Sequence, residues 1–301
     1  MRILADVLTD VTIREGSQQP IDLRNAAVPD KLRILSGILA SGVKHIELTA
    51  FAPGEWFADA HELASSAQAL AGSETDLRAL YFNARGLDDL RTHPNITAQG
   101  VFHTAATSKY RSENYRQTSK VQVLEKLRSM LQAFNKHKLA FDNLVISTAF
   151  GEHGEPVAKQ QLIDFIAAIL SEAKEGGFDL RAVTLADTVG NADPEELLKV
   201  FSAVKQTWPD KVLRAHLHPP KATAQACVEA ALQGGADEWE AAWGGVGGSP
   251  FAEKPGGNLD IRLLIKIWLS KGWKTGLDQS KADALIGELR TICSREISPN
   301  Y

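Results

Sequence analysis

Short apolar runs alternate with amphipathic helical patterns along almost the whole chain, and this alternation constrains the fold more than any other feature. Apolar runs bounded by loop-forming residues predict strands, while apolar residues that recur every three or four positions predict helices. The predicted strands cover 7–13, 43–51, 77–82, 101–103, 144–149, 181–187, 211–218 and 238–243. Helices are predicted over 29–40, 58–71, 87–90, 121–138, 161–174, from 193 onward, and over 222–233, 260–269 and 279–293.

Eight strands, each followed by a helix, predict an α/β fold of the (β/α)8 TIM-barrel type, with its active site at the C-terminal ends of the strands. No linker composition interrupts the chain, so we expect a single domain over residues 1–301, with C-terminal helices over about 260–297 packed on the barrel. The alternative is an open doubly wound sheet. Its dinucleotide-binding version is disfavoured because no G-x-G-x-x-G turn follows the first strand.

Composition and charge exclude several classes of protein. The net charge is -4 and the basic residues are scattered, so we expect no nucleic-acid partner. No apolar run is long enough to span a bilayer, so we expect no membrane association. The N-terminal residues do not resemble a secretory signal and the chain has 2 cysteines, Cys227 and Cys293, which favours a cytoplasmic location with both as buried thiols.

A His-x-His pattern ends the seventh predicted strand. Side chains two apart on a strand point to the same side, so the imidazoles of His216 and His218 are predicted to converge. Two converging imidazoles are typical of a metal site, although two unrelated histidines would give the same pattern.

Several other polar residues are predicted to share the mouth of the barrel with this pair. They are Arg14, Glu15, Glu47, Asp187 and, if the last loop folds back, Asn258. Each has a structural alternative: Glu47 could be solvated and Asp187 could cap a helix. Arg14 and Glu15 could form a surface pair. Their common position at strand ends of one polarity favours a single functional site.

A carboxylate, two imidazoles and an amide oxygen form a mixed oxygen and nitrogen ligand set. That set suits Mg²⁺ or Mn²⁺, with Co²⁺ and Zn²⁺ as further candidates, better than it suits a closed structural zinc site. An ion with open positions can chelate a hydroxyl together with a neighbouring carbonyl and stabilise oxyanion character. The expected cofactor is therefore a divalent metal.

Five motifs together resemble the metal-dependent lyase and synthase superfamily of TIM barrels, which includes 3-hydroxy-3-methylglutaryl-CoA (HMG-CoA) lyase, isopropylmalate synthase and homocitrate synthase. The layout is most similar to that of the lyase, and the resemblance covers nearly the whole chain. The motifs are TIREGSQ at 12–18, Ile46–Glu47, LADTVG at 185–190, His216–His218, and the glycine-rich stretch at 244–252 that continues to 256–258.

The resemblance implies a role for each matching residue. The metal ligands would be Glu15, His216, His218 and Asn258. Arg14 would stabilise an enolate oxygen, Glu47 would orient Arg14, and Asp187 would accept the proton of the substrate hydroxyl. The implied reaction is retro-Claisen cleavage of an HMG-CoA-like thioester, and the expected partner is a small acyl-CoA or hydroxy/keto acid. We also expect a homodimer, with Trp268, Leu269 and Trp273 as a candidate interface and core packing as the alternative.

The sequence departs from the lyase pattern at the position of the catalytic acid. The lyases have a cysteine in the glycine-rich loop where this chain has Ser249, and a hydroxyl is far less acidic than a thiol. Ser249 remains a candidate catalytic residue, and His153 is a further candidate acid whose alternative is a solvated loop histidine. Glu15 stands where the lyases commonly have Asp, and Pro219, Pro220 and Lys221 replace an acidic segment after His218.

These departures leave two other functions open. One is a Claisen-type or aldol-type synthase or aldolase that acts on a related hydroxy or keto acid. The other is a non-catalytic binding barrel, which we rank lower because an unused cluster of buried polar groups would cost stability.

Overall fold

The strands follow the predicted order, and the neighbouring strands whose residues pair in register are parallel. The computed structural model describes residues 3–298 except 71, 73–74 and 249–256. In this part of the chain the strands are β1 (Leu8–Asp10), β2 (His45–Phe51), β3 (Asp76–Tyr81), β4 (Val101–Ala105), β5 (Asn143–Ser147), β6 (Ala182–Asp187), β7 (Val212–Leu217) and β8 (Glu238–Ala241). Eight parallel strands that alternate with helices are the element order of a (β/α)8 barrel, the fold class predicted above.

Helices separate the strands and close the chain. They are α1 (Leu4–Val7), α2 (Thr12–Gly16), α3 (Val28–Ala40), α4 (Ala60–Ala67), α5 (Ala84–Leu90), α6 (Ser108–Tyr115), α7 (Lys120–His137), α8 (Lys159–Glu175), α9 (Pro194–Thr207), α10 (Ala224–Gln233), α11 (Ile261–Ser270) and α12 (Gln279–Ile292). None of the helices in the described residues combines the length and the apolar character needed to cross a membrane.

The chain divides into two compact units. The first unit comprises Met1–Tyr81, Asp88–Thr97 and Trp239–Tyr301. Its strands are ordered β3-β2-β1-β8, and Leu8 of β1 pairs with Trp239 of β8. Both of these side chains and Ile46 of β2 are fully buried, so the core of this unit combines residues of the first two strands with residues of the last strand.

The second unit comprises Phe82–Leu87 and Ala98–Glu238, and its strands lie in sequential order from β4 to β7. The fully buried Ile146, Val183 and Leu213 form part of its core. The register runs continuously across three of these strands, because Val145 pairs with Thr184 and Thr184 pairs with Arg214. This register determines which side chains share a face of the sheet.

The first strand is shorter than predicted. It ends at Asp10, because the Asp10 carboxylate accepts a hydrogen bond from the backbone N–H of Thr12 at 2.8 Å and the chain turns into α2. Arg14 and Glu15 therefore lie on a short helix that directly follows β1, where a loop was predicted.

Two residues of the candidate C-terminal interface lie in different environments. Trp268 is buried and packs edge-on against Trp239, as the core-packing alternative predicted, whereas Leu269 is exposed.

Candidate active site

The first unit holds a buried group of three charged side chains at the end of β1 and on β2. Arg14 donates from Nε to Oε2 of Glu47 at 2.9 Å, and its Nη2 lies 2.8 Å from the same oxygen. Nη1 of Arg14 donates to Oε1 of Glu15. One guanidinium thus holds two buried carboxylates, which leaves a net negative charge, so Glu47 is not the solvated residue of the structural alternative.

The loop after β8 lies directly on Glu15. The N–H of Gly248 donates to Oε2 of Glu15 at 3.2 Å. Gly247 has φ +86°, and a Cβ there would lie 2.4 Å from Cβ of Glu15 and 2.6 Å from Nδ2 of Asn258. Glycine is therefore required by both its backbone conformation and its surroundings. Glu15 and Asn258 meet at this residue, as predicted for a loop that folds back.

The two polar atoms of the Asn258 side chain differ in their hydrogen bonding. Its Nδ2 donates to the carbonyl of Val246 at 2.7 Å, whereas its buried Oδ1 accepts no hydrogen bond from the residues that the structure describes. A buried polar atom without a partner costs free energy unless another group, such as a cation, binds it.

Gln19 and Asp22 bind the loop at Gly248 and Gly247, and Arg295 binds Asp22. Oδ2 of Asp22 accepts from the N–H of Gly247 at 2.8 Å, and Arg295 donates to both carboxylate oxygens of Asp22. Gln19 donates from Nε2 to the carbonyl of Gly248 at 2.8 Å. The loop is thus bound to the segment after α2, a connection that the sequence alone did not indicate.

The second unit holds the two histidines. His216 and His218 are buried, and their Nε2 atoms lie 2.9 Å apart. Gly190, with φ +68°, allows the backbone of His218 to approach closely, since a Cβ on Gly190 would lie 2.6 Å from the carbonyl oxygen of His218. The predicted convergence of the two imidazoles is confirmed.

Asp187 is buried at the end of β6 in the same unit. Its Oδ1 accepts hydrogen bonds from the N–H groups of Asn191 at 2.8 Å and Ala192 at 3.2 Å. Burial raises the pKa of the Asp187 carboxyl above its usual value, while these hydrogen bonds and the charge of His216 act in the opposite direction. The cap of α9 is Asp193, whose side chain accepts from the N–H of Glu196 at 2.8 Å, so Asp187 is not the helix cap of the structural alternative.

Two candidate acids remain without structural support. Ser249 lies outside the described residues. His153 is exposed in a turn between Glu152 and Glu155, the environment of the solvated alternative. Cys227 and Cys293 are both buried, and burial raises the pKa of each thiol, in agreement with the predicted structural role.

A tyrosine that sequence reasoning missed lies on the sheet of the second unit. The hydroxyl of Tyr115, the last residue of α6, lies 2.8 Å from Oγ of Ser147 at the end of β5. The segment Ser108–Tyr115 is polar along its length and has no helical apolar stripe, so the pattern gave no reason to predict α6. The only available indication was its position directly after β4, where barrel enzymes carry functional loops.

Each unit holds donor atoms of the kinds that bind a divalent metal ion. The first unit offers the Glu15 carboxylate and the unsatisfied Asn258 Oδ1, and the second offers two imidazole nitrogens. Oxygen and nitrogen donors of these types bind Mg²⁺, Mn²⁺, Co²⁺ or Zn²⁺. Arg14 is a buried cation that can stabilise a developing oxyanion, and Asp187 is a carboxyl whose environment makes it a better base than an exposed one.

Comparison with known proteins identifies several carbon–carbon lyases as relatives. The chain is 27% identical to "Hydroxymethylglutaryl-CoA lyase YngG" of Bacillus subtilis over 91% of this chain and 88% of that protein. It is also 27% identical to "(R)-citramalyl-CoA lyase" of Chloroflexus aurantiacus, over 92% and 87% of the two chains.

A solved structure shows the same fold. The HMG-CoA lyase from Brucella melitensis superposes with a TM-score of 0.81 at 21% identity, over 96% of this chain and 99% of that one. This likeness confirms the (β/α)8 fold class. The HMGL-like family model matches residues 7–286, so the chain belongs to the HMGL-like family.

Proposed function

We propose that this protein is a divalent-metal-dependent carbon–carbon lyase that cleaves an HMG-CoA-like 3-hydroxyacyl-CoA thioester by retro-Claisen chemistry. One observation carries the proposal: the buried Oδ1 of Asn258 accepts no hydrogen bond from the described residues. The side chains of Asn258 and Glu15 both lie beside Gly247, so this oxygen is close to a buried carboxylate. The names of the curated relatives support the choice of a CoA thioester.

In this proposal the metal ligands are Glu15, Asn258, His216 and His218. Glu15, His216 and His218 are each buried and each offers an oxygen or nitrogen atom suited to such an ion. The family's barrel fold supports their convergence, because the C-terminal ends of its strands open on one face. When bound, the ion would polarise the substrate hydroxyl and stabilise negative charge on oxygen.

The remaining side chains have distinct roles in the proposed reaction. Asp187 accepts the proton of the C3 hydroxyl, and the electron pair of that O–H bond becomes the new carbonyl as the C2–C3 bond breaks. Arg14 stabilises the thioester enolate that forms on the C2 fragment. Glu47 keeps the guanidinium in place through two contacts with Nε and Nη2.

The test is a metal analysis combined with a substrate panel. The purified protein is assayed for release of acetyl-CoA and a keto acid from a series of 3-hydroxyacyl-CoA thioesters, with and without added Mg²⁺ or Mn²⁺. We expect metal-dependent cleavage that is lost in His216→Ala and retained in His153→Ala, since His153 is an exposed histidine and therefore a matched control. Absence of turnover across the panel, together with absence of metal binding, would contradict the proposal and favour the non-catalytic barrel.

A second candidate uses the same chemistry in the bond-forming direction or acts on a free hydroxy or keto acid. It is favoured because both cysteines lie in buried positions, so neither supplies the thiol acid of the lyases. Condensation of acetyl-CoA with a keto acid, in the absence of thioester cleavage, would select this candidate.

Three sequence-based predictions remain part of the proposal. They are a single domain over residues 1–301, a homodimeric assembly and a cytoplasmic location.

A further inference from the structure

The hydroxyl of Tyr115 lies at the sheet of the second unit, next to the end of β5. Its hydroxyl lies 2.8 Å from Oγ of Ser147, and its ring lies among those of Phe82 and His103, with centroids 6.2 Å and 6.5 Å away. The side chain is half-buried, and Tyr110 of the same helix lies 6.0 Å away between ring centroids. The aromatic contacts and the hydrogen bond together define the position of the hydroxyl.

The strand register shows that this hydroxyl lies on the face that carries His216. Val145, Thr184 and Arg214 are paired across β5, β6 and β7, so they share one face of the sheet. Ser147 is two residues beyond Val145, and His216 is two residues beyond Arg214. Both therefore lie on this face, one level nearer the C-terminal ends of the strands.

The distance between these positions leaves room for a small substrate. Strand β6 lies between β5, which carries Ser147, and β7, which carries His216. At this level β6 contributes Ala186, which pairs with His216 and has only a methyl side chain. Neighbouring strands are about 4.8 Å apart, so the backbones at Ser147 and His216 are separated by roughly 10 Å. A substrate carbon bound beside His216 would then lie close to the Tyr115 hydroxyl, which is hydrogen-bonded to Ser147.

The proposed reaction needs an acid that the family motif does not supply in this chain. Ser249 replaces the cysteine, and an aliphatic alcohol is a poor proton donor at neutral pH, whereas a phenol has an ordinary pKa of about 10. We propose that Tyr115 is a catalytic residue that protonates C2 of the enolate, with Ser147 as the positioning residue that orients its hydroxyl. This inference rests on the proposed lyase function and deepens it by naming the proton donor.

The step balances in atoms and electrons. After the C2–C3 bond has broken, the enolate carbonyl re-forms and the electron pair at C2 takes the proton from the Tyr115 hydroxyl. A C–H bond forms, the phenol O–H bond breaks, and the product is the acyl-CoA with a methyl or methylene group at C2. The Tyr115 phenolate regains a proton from water while Asp187 releases the one that it accepted, so no net proton is consumed.

A purely structural role for Tyr115 as part of the aromatic cluster is the competing explanation, and matched variants distinguish the two. We expect Tyr115→Phe, which keeps the ring, to lower kcat by about 100-fold or more, with little change in KM, because general acids contribute roughly 10²–10⁴-fold. Ser147→Ala should lower kcat less, by about tenfold. Tyr110→Phe, on the same helix, should have no effect on kcat.

Solvent exchange tests the proton transfer itself. In D₂O with the keto-acid product bound, the wild-type protein should exchange the C2 protons of acetyl-CoA, and Tyr115→Phe should lose this exchange while it retains bound metal. A kcat for Tyr115→Phe within about twofold of wild type, or equal losses in Tyr115→Phe and Tyr110→Phe, would overturn the assignment while the lyase function stands. A wild-type protein that neither cleaves thioesters nor exchanges protons would overturn the proposed function, and this inference with it.

Discussion

Arg14 contacts Glu47 through two nitrogens of its guanidinium, Nε at 2.9 Å and Nη2 at 2.8 Å, and both side chains are buried. Glu47→Ala leaves Arg14 paired with Glu15 but removes the acceptor that Nε and Nη2 of the buried guanidinium share, and an unsatisfied buried donor costs about 1–3 kcal/mol, more for a charged group. We therefore expect Glu47→Ala to lower the free energy of unfolding by about 3 kcal/mol and to reduce turnover, since the position of Arg14 is no longer fixed.

Urea unfolding followed by fluorescence measures this change. The control is Glu195→Ala, which removes an exposed helical pair with Lys199 and should cost less than about 0.5 kcal/mol. Equal losses of stability in the two variants would show that the buried pair contributes no more than a surface pair.

Gly247 is the residue at which Glu15 and Asn258 meet. In Gly247→Ala the new Cβ would lie within 2.6 Å of both side chains, so at least one of the two must move. We expect this variant to bind Mn²⁺ at least about tenfold more weakly, the scale seen when groups that support metal ligands are lost.

The control for Gly247→Ala is Gly272→Ala. Gly272 also has a positive φ, at +69°, but no atom lies within 4 Å of its Cβ position. It tests backbone strain alone, which costs roughly 1–2 kcal/mol of stability and should leave metal binding unchanged. Titration with Mn²⁺ by calorimetry compares the two, and unaltered binding in Gly247→Ala would argue against Glu15 and Asn258 as ligands.

Asp10 gives stability a defined dependence on pH. Burial raises the pKa of its carboxyl to about 7, although Thr12 donates hydrogen bonds that act in the opposite direction. An unfolded Asp titrates near pH 3.9, so between about pH 4 and 7 the folded protein holds a proton that the unfolded chain has released. The contribution of Asp10 to the free energy of unfolding should therefore fall as the pH rises from about 4 to 7, by at most about 1.4 kcal/mol per pH unit. Above pH 7 this contribution is lost.

Asp10→Asn should remove this part of the pH dependence, and Asp6→Asn, at an exposed carboxylate that pairs with Lys44, should leave it intact. Unfolding free energies at pH 5, 6, 7 and 8 report the slope. An unchanged slope in Asp10→Asn would show that Asp10 is already ionised at low pH in the folded state.

The cysteines should be unreactive in the native protein. Cys227 and Cys293 are buried, and burial raises the pKa of Cys293 to about 12 and that of Cys227 in the same direction. Thiolates are the reactive form, so we expect almost no reaction of the native protein with a thiol reagent at pH 8 and reaction of both thiols after unfolding. Rapid modification accompanied by loss of activity would place a thiol in the active site.

Local patterns were sufficient to predict the strands and the longer helices. Most strand residues are buried, so periodicity and burial agree, and His216 and His218 converge because the two-residue repeat of a strand fixes their side. The early end of β1 was not predictable in the same way. It depends on one hydrogen bond from Thr12 to Asp10, and the composition of the segment alone is equally compatible with a longer strand.

Helix α6 shows why part of the site could not be predicted. Its N-terminal N–H groups are bound by distant carboxylates: Glu155 accepts from Ser108 and Lys109, and Glu152 accepts from Tyr110. The segment is therefore helical because of partners more than 40 positions away, which no local pattern contains. Tyr115 escaped prediction because its position follows from this helix.

The contact of Asp22 with Arg295 spans 273 positions, and Glu15 meets Gly248 across 233. The whole second unit lies between these partners in the sequence. The ribosome must therefore synthesise the second unit before Glu15 can make its contact with Gly248. Any affinity for metal that depends on Glu15 and its contact with Gly248 should consequently appear only after the second unit and the loop that follows it have been synthesised.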